Sequence, residues 1–491
     1  VVFTLSRVAV AAAGVRFDLR AITTASGADQ WQLLDTTLLR HDLLASVWYL
    51  HSQPPLYNLY CGLLVHLPLG AARVVAQTSF LAMGLVLGLG TFLLLVELGV
   101  PAAWAWALAA LVMVDPAAML YENWLFYAEP TAAGLVVTGW CLARFLRSGQ
   151  RRWGVGAFGA SAGVVLLNAT FQAVWFLAVV GIALVSMRHR WRRVVASAAL
   201  PALALGLWYG KDAAVFGTAT TSSWLGMNLA KPALVRLPPG QLHQLVADGT
   251  LDALAQVKPF APVAAYVPRF VPAPHTGIPA LDRPTKHDGQ PNYDDLAYVA
   301  VSRRYLRDDL AAIRARPGSY LKITVEAAGV WLVPAEQYGP LSGAQRPIAG
   351  YVRLYDRAVD WQVHSAPAAG FVALLGGFAP RISQLSLQAL LVDALAVLAA
   401  PVLAWRRRSD AVAAGLILFA WLTTCYVVVV TTMVELGENN RFRFELGPLP
   451  LVVAAAVVCA AVRAAAARRG SRPSLPADGP DLRRRARVFV P

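Results

Sequence analysis

Three short stretches of this chain hold most of the residues that could do chemistry. The first, Arg16–Asn58, carries Asp18, Asp29, Asp35 and Asp42 and ends in His51-Ser52-Gln53-Pro54-Pro55-Leu56-Tyr57-Asn58. The second is Tyr121-Glu122-Asn123-Trp124-Leu125-Phe126-Tyr127, with Asp115-Pro116 before it and Glu129-Pro130 after it. The third is Glu438-Asn439-Asn440-Arg441-Phe442-Arg443-Phe444-Glu445. A carboxylate can serve as general base toward a sugar or lipid hydroxyl. Aromatic faces bind sugar rings and prenyl chains. Guanidinium groups grip phosphate through paired, charge-assisted hydrogen bonds, and in an extended segment Arg441 and Arg443, two residues apart, would share one face.

Each stretch also has a plainer reading: exposed loop carboxylates in the first, an interfacial aromatic belt in the second, and salt bridges from the arginines to Glu438 or Glu445 in the third. Asp18 stands out because it directly follows the first apolar run. Glu122 is preferred to Asp115, which lies in an apolar run. An ionisable group at the bilayer centre costs about 2.5–3.5 kcal/mol, so Asp115 must face a cavity or sit near a helix end. His51 has no second histidine at ligand spacing and is expected to contact substrate rather than metal. Gln53, Tyr57, Asn58, Tyr121 and Asn123 join it as binding candidates, and Lys211 adds a positive charge beside Arg441 and Arg443.

The elements that must position these residues are membrane helices. Apolar residues make up 57% of the 491-residue chain and charged residues 14%, against roughly 25% charged in a soluble domain. Mean hydropathy is +0.52. Apolar runs near the roughly 20 residues needed to cross a ~30 Å hydrocarbon core recur. The net charge of +15 does not imply nucleic acid, because the basic residues gather in short loops: Arg147, Arg151 and Arg152; Arg188, Arg190, Arg192 and Arg193; Arg406, Arg407 and Arg408; and a tail running from Arg463 to Arg485. That is the positive-inside pattern, so these loops are expected in the cytoplasm.

The spans expected are 1–15, 74–96, 102–119, 131–146, 154–167, 169–187, 194–210, 385–405, 411–433 and 446–464, about ten in all. The fold class is therefore an all-α polytopic membrane protein. Segment 54–69 is apolar, but the parity of the basic loops leaves it on the outside, as a helix lying at the interface. Residues 16–73 then form one outer loop closing an N-terminal module, 1–210. Residues 211–384 form a large extracytoplasmic region whose apolar piece 319–333 is too short and charged to span. Residues 385–464 are the C-terminal helices, and 465–491 a basic cytoplasmic tail. The cysteines, Cys61, Cys141, Cys425 and Cys459, are scattered and read as packing residues. No basic segment or cleavage site precedes the apolar run at Val1, so no cleavable signal peptide is expected, and so short a first span suggests either residues upstream or a start codon read literally as Val.

No P-loop, dinucleotide fingerprint or nucleophile elbow is present. The chain resembles the GT-C class of integral-membrane glycosyltransferases, nearest the branch of protein O-mannosyltransferases and lipid A aminoarabinose transferases. An acidic residue follows the first span (Asp18), an interfacial helix opens with Pro54-Pro55-Leu56-Tyr57, and a second acidic loop, Asp115 to Glu129, follows the third span. The match covers residues 1–210 best. It implies a GT-C-like bundle that transfers sugar from a polyprenyl-phosphate carrier to a lipid, glycan or protein hydroxyl at the outer face of the cytoplasmic membrane. Asp18, or Asp35, would take the first-loop catalytic position and Glu122 the second. Ser52-Gln53 stands where relatives often have Glu-Lys, so Arg441 and Arg443 would supply the missing charge at the phosphate. Some relatives hold a divalent metal between carboxylates; its second ligand is absent here, and no residue is assigned to a metal. The rival readings are a transporter or flippase of lipid-linked sugars, which favours mid-bilayer sites and internal repeats, and a non-enzymatic envelope scaffold.

Overall fold

The structure, a computed structural model, describes residues 1–23, 30–269, 275–364 and 384–470. Asp29 and the tail arginines from Arg472 onward lie outside the described residues. The described residues are all-α apart from one two-stranded antiparallel ribbon that pairs Val363 with Leu385 and His364 with Gln384.

Among the described residues, five helices are long and apolar enough to cross a membrane. They are α3 (Leu69–Glu97), α9 (Trp191–Phe216), α13 (Leu387–Arg406), α14 (Ala411–Val434) and α16 (Leu449–Gly470). Long runs of Leu, Val and Ala supply the apolar surface, and exposed side chains such as Leu89, Leu203, Leu398 and Val429 face outward. Lipid, not water, is the solvent such a surface suits. Several of the other expected spans are shorter or broken. Val2–Ala12 (α1) has eleven residues. Residues 102–119 form two helices, Ala102–Val114 (α4) and Pro116–Tyr121 (α5). The break falls where Asp115 caps α5 through the backbone N–H of Ala117, with Pro116 at the first helical position. Residues 131–146 lie in the twenty-one-residue α6 (Ala128–Ser148). The expected hairpin forms α7 (Arg151–Val165) and α8 (Ala173–Ser186).

Segment 54–69 forms α2 (Pro55–Val65), eleven residues long with Pro55 at its start. At 1.5 Å per residue it reaches about 16 Å, half the hydrocarbon thickness. One core joins α3, α6, α7, α8, α14 and α16, with Phe145, Phe158, Phe171, Trp175 and Phe419 fully enclosed. A second core lies under the first outer segment and takes in Phe17, Tyr57, Phe80, Tyr121 and Phe444.

Residues 211–384 are more than a loop with one interfacial helix. Helices α10 (Leu225–Ala233) and α11 (Ala297–Ala315) build their own core around Trp224, Met227, Tyr266, Tyr298 and Tyr305. Gly226 permits that packing, since a Cβ there would collide with the backbone carbonyl of Ser302. Helix α12 (Pro317–Trp331) leads back to the membrane helices and packs against α14.

Candidate functional site

The three polar stretches meet. Asp18 pairs with the second stretch through its backbone: its N–H donates to the Asn123 carbonyl at 2.8 Å, and its carbonyl accepts from Leu125 at 3.3 Å. Gln30 and Tyr57 both donate to the Leu125 carbonyl, at 2.9 and 3.0 Å. The third stretch docks through aromatic faces. Tyr121 stacks on Phe444 with ring centroids 3.8 Å apart, and Arg441 lies over the rings of Phe126, Tyr127, Tyr338 and Phe442.

That third stretch corrects an expectation. It is not extended but helical, α15 (Asn439–Glu445). Two residues along a helix turn the side chain by about 200°, so Arg441 and Arg443 cannot share a face. Each enters a different cavity.

The Arg441 cavity encloses about 260 Å³ and is lined by Gln53, Asn168, Gln172, Lys231, Glu435 and Glu438 among aromatic walls. It shares Trp31, Gln32 and Glu438 with a neighbouring space of about 650 Å³ that contains Asp18, Arg20, Trp124, Phe126 and Tyr338. Together they form a groove that holds a carboxylate at one end and two cations at the other. Its charges are matched inside the protein. Lys231 donates to both oxygens of Glu435, at 2.8 and 2.9 Å. Arg441, 2% exposed, donates to Glu438 at 2.7 and 3.0 Å and also to Glu445. Asn168 holds the other Glu445 oxygen at 2.7 Å. Burial pushes the Glu438 carboxyl up, but Arg441 and Lys231 outweigh it and hold the group below its ordinary value. The groove lies at the Val434 end of α14, and the Arg406–Arg408 cluster precedes the other end. Twenty-four helical residues separate them, about 36 Å and enough to cross a bilayer.

The remaining candidates are placed elsewhere. Asp18 is partly exposed in the groove and paired with Arg20 at 2.6 Å. Asp35 caps the helix Thr36–His41 and also binds the backbone and ring of His287 at 2.8 and 2.7 Å. Burial raises its pKa, yet these hydrogen bonds bring it below the usual carboxylate range. It ties the first outer segment to the large loop region. Glu122 is fully buried and bonded to Arg7 of α1; Gly84 leaves the room, since a Cβ there would overlap the Glu122 carboxylate.

His51 bonds to Ser223 Oγ at 2.8 Å and the Asp294 carbonyl at 3.0 Å, while Asp294 accepts from the backbone of His51 and Ser52. Burial drives the imidazole down to about 3 and keeps it neutral. Asn58 holds the backbone of Gln32 and Leu34. The Asn123 side chain donates to the Met119 carbonyl. Lys211 is buried on Asp212, the Leu50 carbonyl and the Trp208 ring. Of the binding candidates, Gln53 and Arg441 line the Arg441 cavity and Arg443 the other; His51, Tyr57, Asn58, Tyr121, Asn123 and Lys211 hold the walls together.

No family model, curated protein or solved structure matches the chain. The site is therefore read from its own geometry. Sequence reasoning missed Lys231 and Trp31. Lys231 had a signal: the chain has five lysines, all between Lys211 and Lys322, in the region expected outside, where positive charge has no topological reason to stand.

The Arg443 cavity is larger, about 560 Å³, with apolar walls from Leu87, Leu108, Leu111 and Leu451. Asp115, Glu336, Asp360 and Asp393 line it, and Asp356 adjoins Glu336 and Asp360. Arg443 is its one cation among the described residues, spending one hydrogen bond on the Val333 carbonyl at 3.1 Å.

Proposed function

We propose that the chain is a glycosyltransferase that moves a sugar from a polyprenyl-phosphate carrier to an acceptor hydroxyl at the outer face of the cytoplasmic membrane. The observation that carries this reading is the continuous groove from Asp18 to Lys231 and Arg441, walled by Trp31, Trp124, Phe126 and Phe260. A sugar phosphate needs such a combination: aromatic faces for the ring, hydrogen-bonding groups such as Gln53 and Gln172 for its hydroxyls, and cations for the departing phosphate.

In the proposed reaction Asp18 removes the proton of the acceptor hydroxyl. The oxygen attacks the anomeric carbon, the bond from that carbon to the phosphate oxygen breaks, and prenyl phosphate leaves with inversion. Lys231 and Arg441 stabilise the charge that develops on the phosphate, exchanging part of their contact with Glu435 and Glu438. The location of these groups at one end of the helices, with Asp18 outside any long span, favours transfer over transport, which works through sites near the bilayer midplane.

The test is label transfer from radiolabelled polyprenyl-phosphate sugars in membranes containing wild type, Asp18→Asn or Asp35→Asn. Removal of a general base lowers the rate by about 10²–10⁴-fold, so Asp18→Asn is expected to lose transfer. Asp35→Asn keeps a helix-capping oxygen but loses the acceptor for the His287 backbone N–H, and is expected to lower stability first. Full activity in both variants would refute the base assignment. No transfer by inserted wild type from any carrier would favour the transporter.

A further inference from the structure

Five carboxyl groups gather at the Arg443 cavity against one guanidinium. Two of the five already have partners: Asp115 caps α5, and Asp393 accepts from the Trp331 indole at 2.8 Å. The other three come together from two turns. Glu336 sits on the turn that follows α12. Asp356 and Asp360 stand at the two ends of a five-residue π-turn, whose wide winding brings both onto one side. One carboxylate oxygen from each of the three lies within 4.8 Å of the others. Among the described residues, Glu336 Oε1 and Asp356 Oδ1 are buried with no hydrogen-bond partner, on residues only 3% and 7% exposed.

Buried charge without a partner is unfavourable by several kcal/mol, and a buried oxygen without a donor adds to that cost. Something must neutralise this cluster. We propose that Glu336, Asp356 and Asp360 form a binding site for a hard divalent cation, best matched by calcium, opening toward the cavity of Arg443. The donor set contains oxygen only, the preference of calcium, magnesium and manganese rather than of zinc or copper. Calcium–oxygen bonds of about 2.3–2.6 Å put opposite ligands about 4.6–5.2 Å apart, whereas magnesium holds them within about 4.2 Å. Oxygens that lie within 4.8 Å of one another can accommodate the larger ion. Three carboxylates leave part of its coordination shell to water from the cavity. This site stands independently of the transferase reading.

The alternative neutralising agent is the proton, and the two make opposite predictions. The experiment uses the full chain in detergent micelles, stripped with EDTA, and measures binding of radiolabelled calcium by equilibrium dialysis together with thermal unfolding. Wild type is expected to bind one calcium, with a dissociation constant on the order of 10⁻⁴ M, and to melt higher with it. Glu336→Gln and Asp360→Asn are each expected to weaken binding at least about tenfold, since each removes a charged ligand. Asp309→Asn serves as control: among the described residues both Asp309 oxygens are also buried without partners, but Asp309 does not line this cavity. It is expected to leave calcium binding unchanged.

Absence of calcium binding at about 10 mM, a concentration above the weakest natural sites, would overturn the proposal and assign the cluster to shared protons. Binding that survives both Glu336→Gln and Asp360→Asn would overturn it as well, by locating the ion elsewhere.

Discussion

The two sides of α15 solve the same problem in different ways. On the Arg441 side two cations, Lys231 and Arg441, meet three carboxylates, Glu435, Glu438 and Glu445, and Asn168 satisfies the spare Glu445 oxygen. On the Arg443 side, among the described residues, five carboxyls meet one guanidinium and two buried oxygens have no donor. The first arrangement is balanced from within, so an entering phosphate would exchange with contacts already made. The second carries an excess of acid. A helix of seven residues therefore separates a balanced set of charges from an acid-rich one.

The sharpest way to break this comparison is to remove one partner from the balanced side. Glu445→Ala leaves Arg441 buried with half its pairing lost, and breaking a buried pair costs about 3–5 kcal/mol. Urea or thermal unfolding is expected to show a loss of that size; a loss under about 1 kcal/mol would mean that Arg441 reaches water and the pairing is dispensable.

The second test separates the two sides by pH. Burial and mutual repulsion push Asp356 up to about 6, and Glu336 and Asp360 are also raised. Acids whose folded pKa lies above the unfolded value stabilise the fold while protonated, and this contribution disappears as pH rises through the folded value. Without divalent cations the melting temperature is expected to fall between about pH 5 and about pH 8, and calcium is expected to reduce that fall. The same scan on Glu336→Gln should show a shallower slope and little calcium effect.

The smallest effect is the static one. In EDTA at neutral pH, Glu336→Gln removes one of several like charges and is expected to leave stability within about 0.5 kcal/mol or raise it slightly. A large loss from this substitution would show that the excess of acid is already compensated from within the protein.

Much of this organisation was legible in the sequence, and the parts that were not have physical causes. The apolar runs marked all five long helices because lipid requires uninterrupted apolar surface. The three polar stretches were recognisable because charged and amide side chains have no place between such runs, and they do converge. The conformation of 438–445 was not legible. Alternating Arg and Phe has the two-residue period of a strand, but the segment is a short helix whose ends are set by Gly437 and Gly447, both at positive φ. Those glycines were the available signal. Asp35 and His51 read as chemistry because their types are catalytic; their partners, His287 and Asp294, lie more than two hundred residues away. The acid cluster was hidden for the same reason, since Glu336 and the Asp356–Asp360 turn meet only once α12 has returned the chain to the bundle.

The pairing of Arg7 with Glu122 has a consequence for how the protein is made. Helix α1 is short and carries a guanidinium, which an isolated helix in lipid tolerates at a cost of about 2.5–3.5 kcal/mol at mid-depth. Its neutralising carboxylate is synthesised 115 residues later, after α3 and α4. Helix α1 is thus held only provisionally until α5 delivers Glu122 into the gap beside Gly84. The order of assembly differs from the order of synthesis, and α1 becomes a late addition to the helices that follow it in the chain.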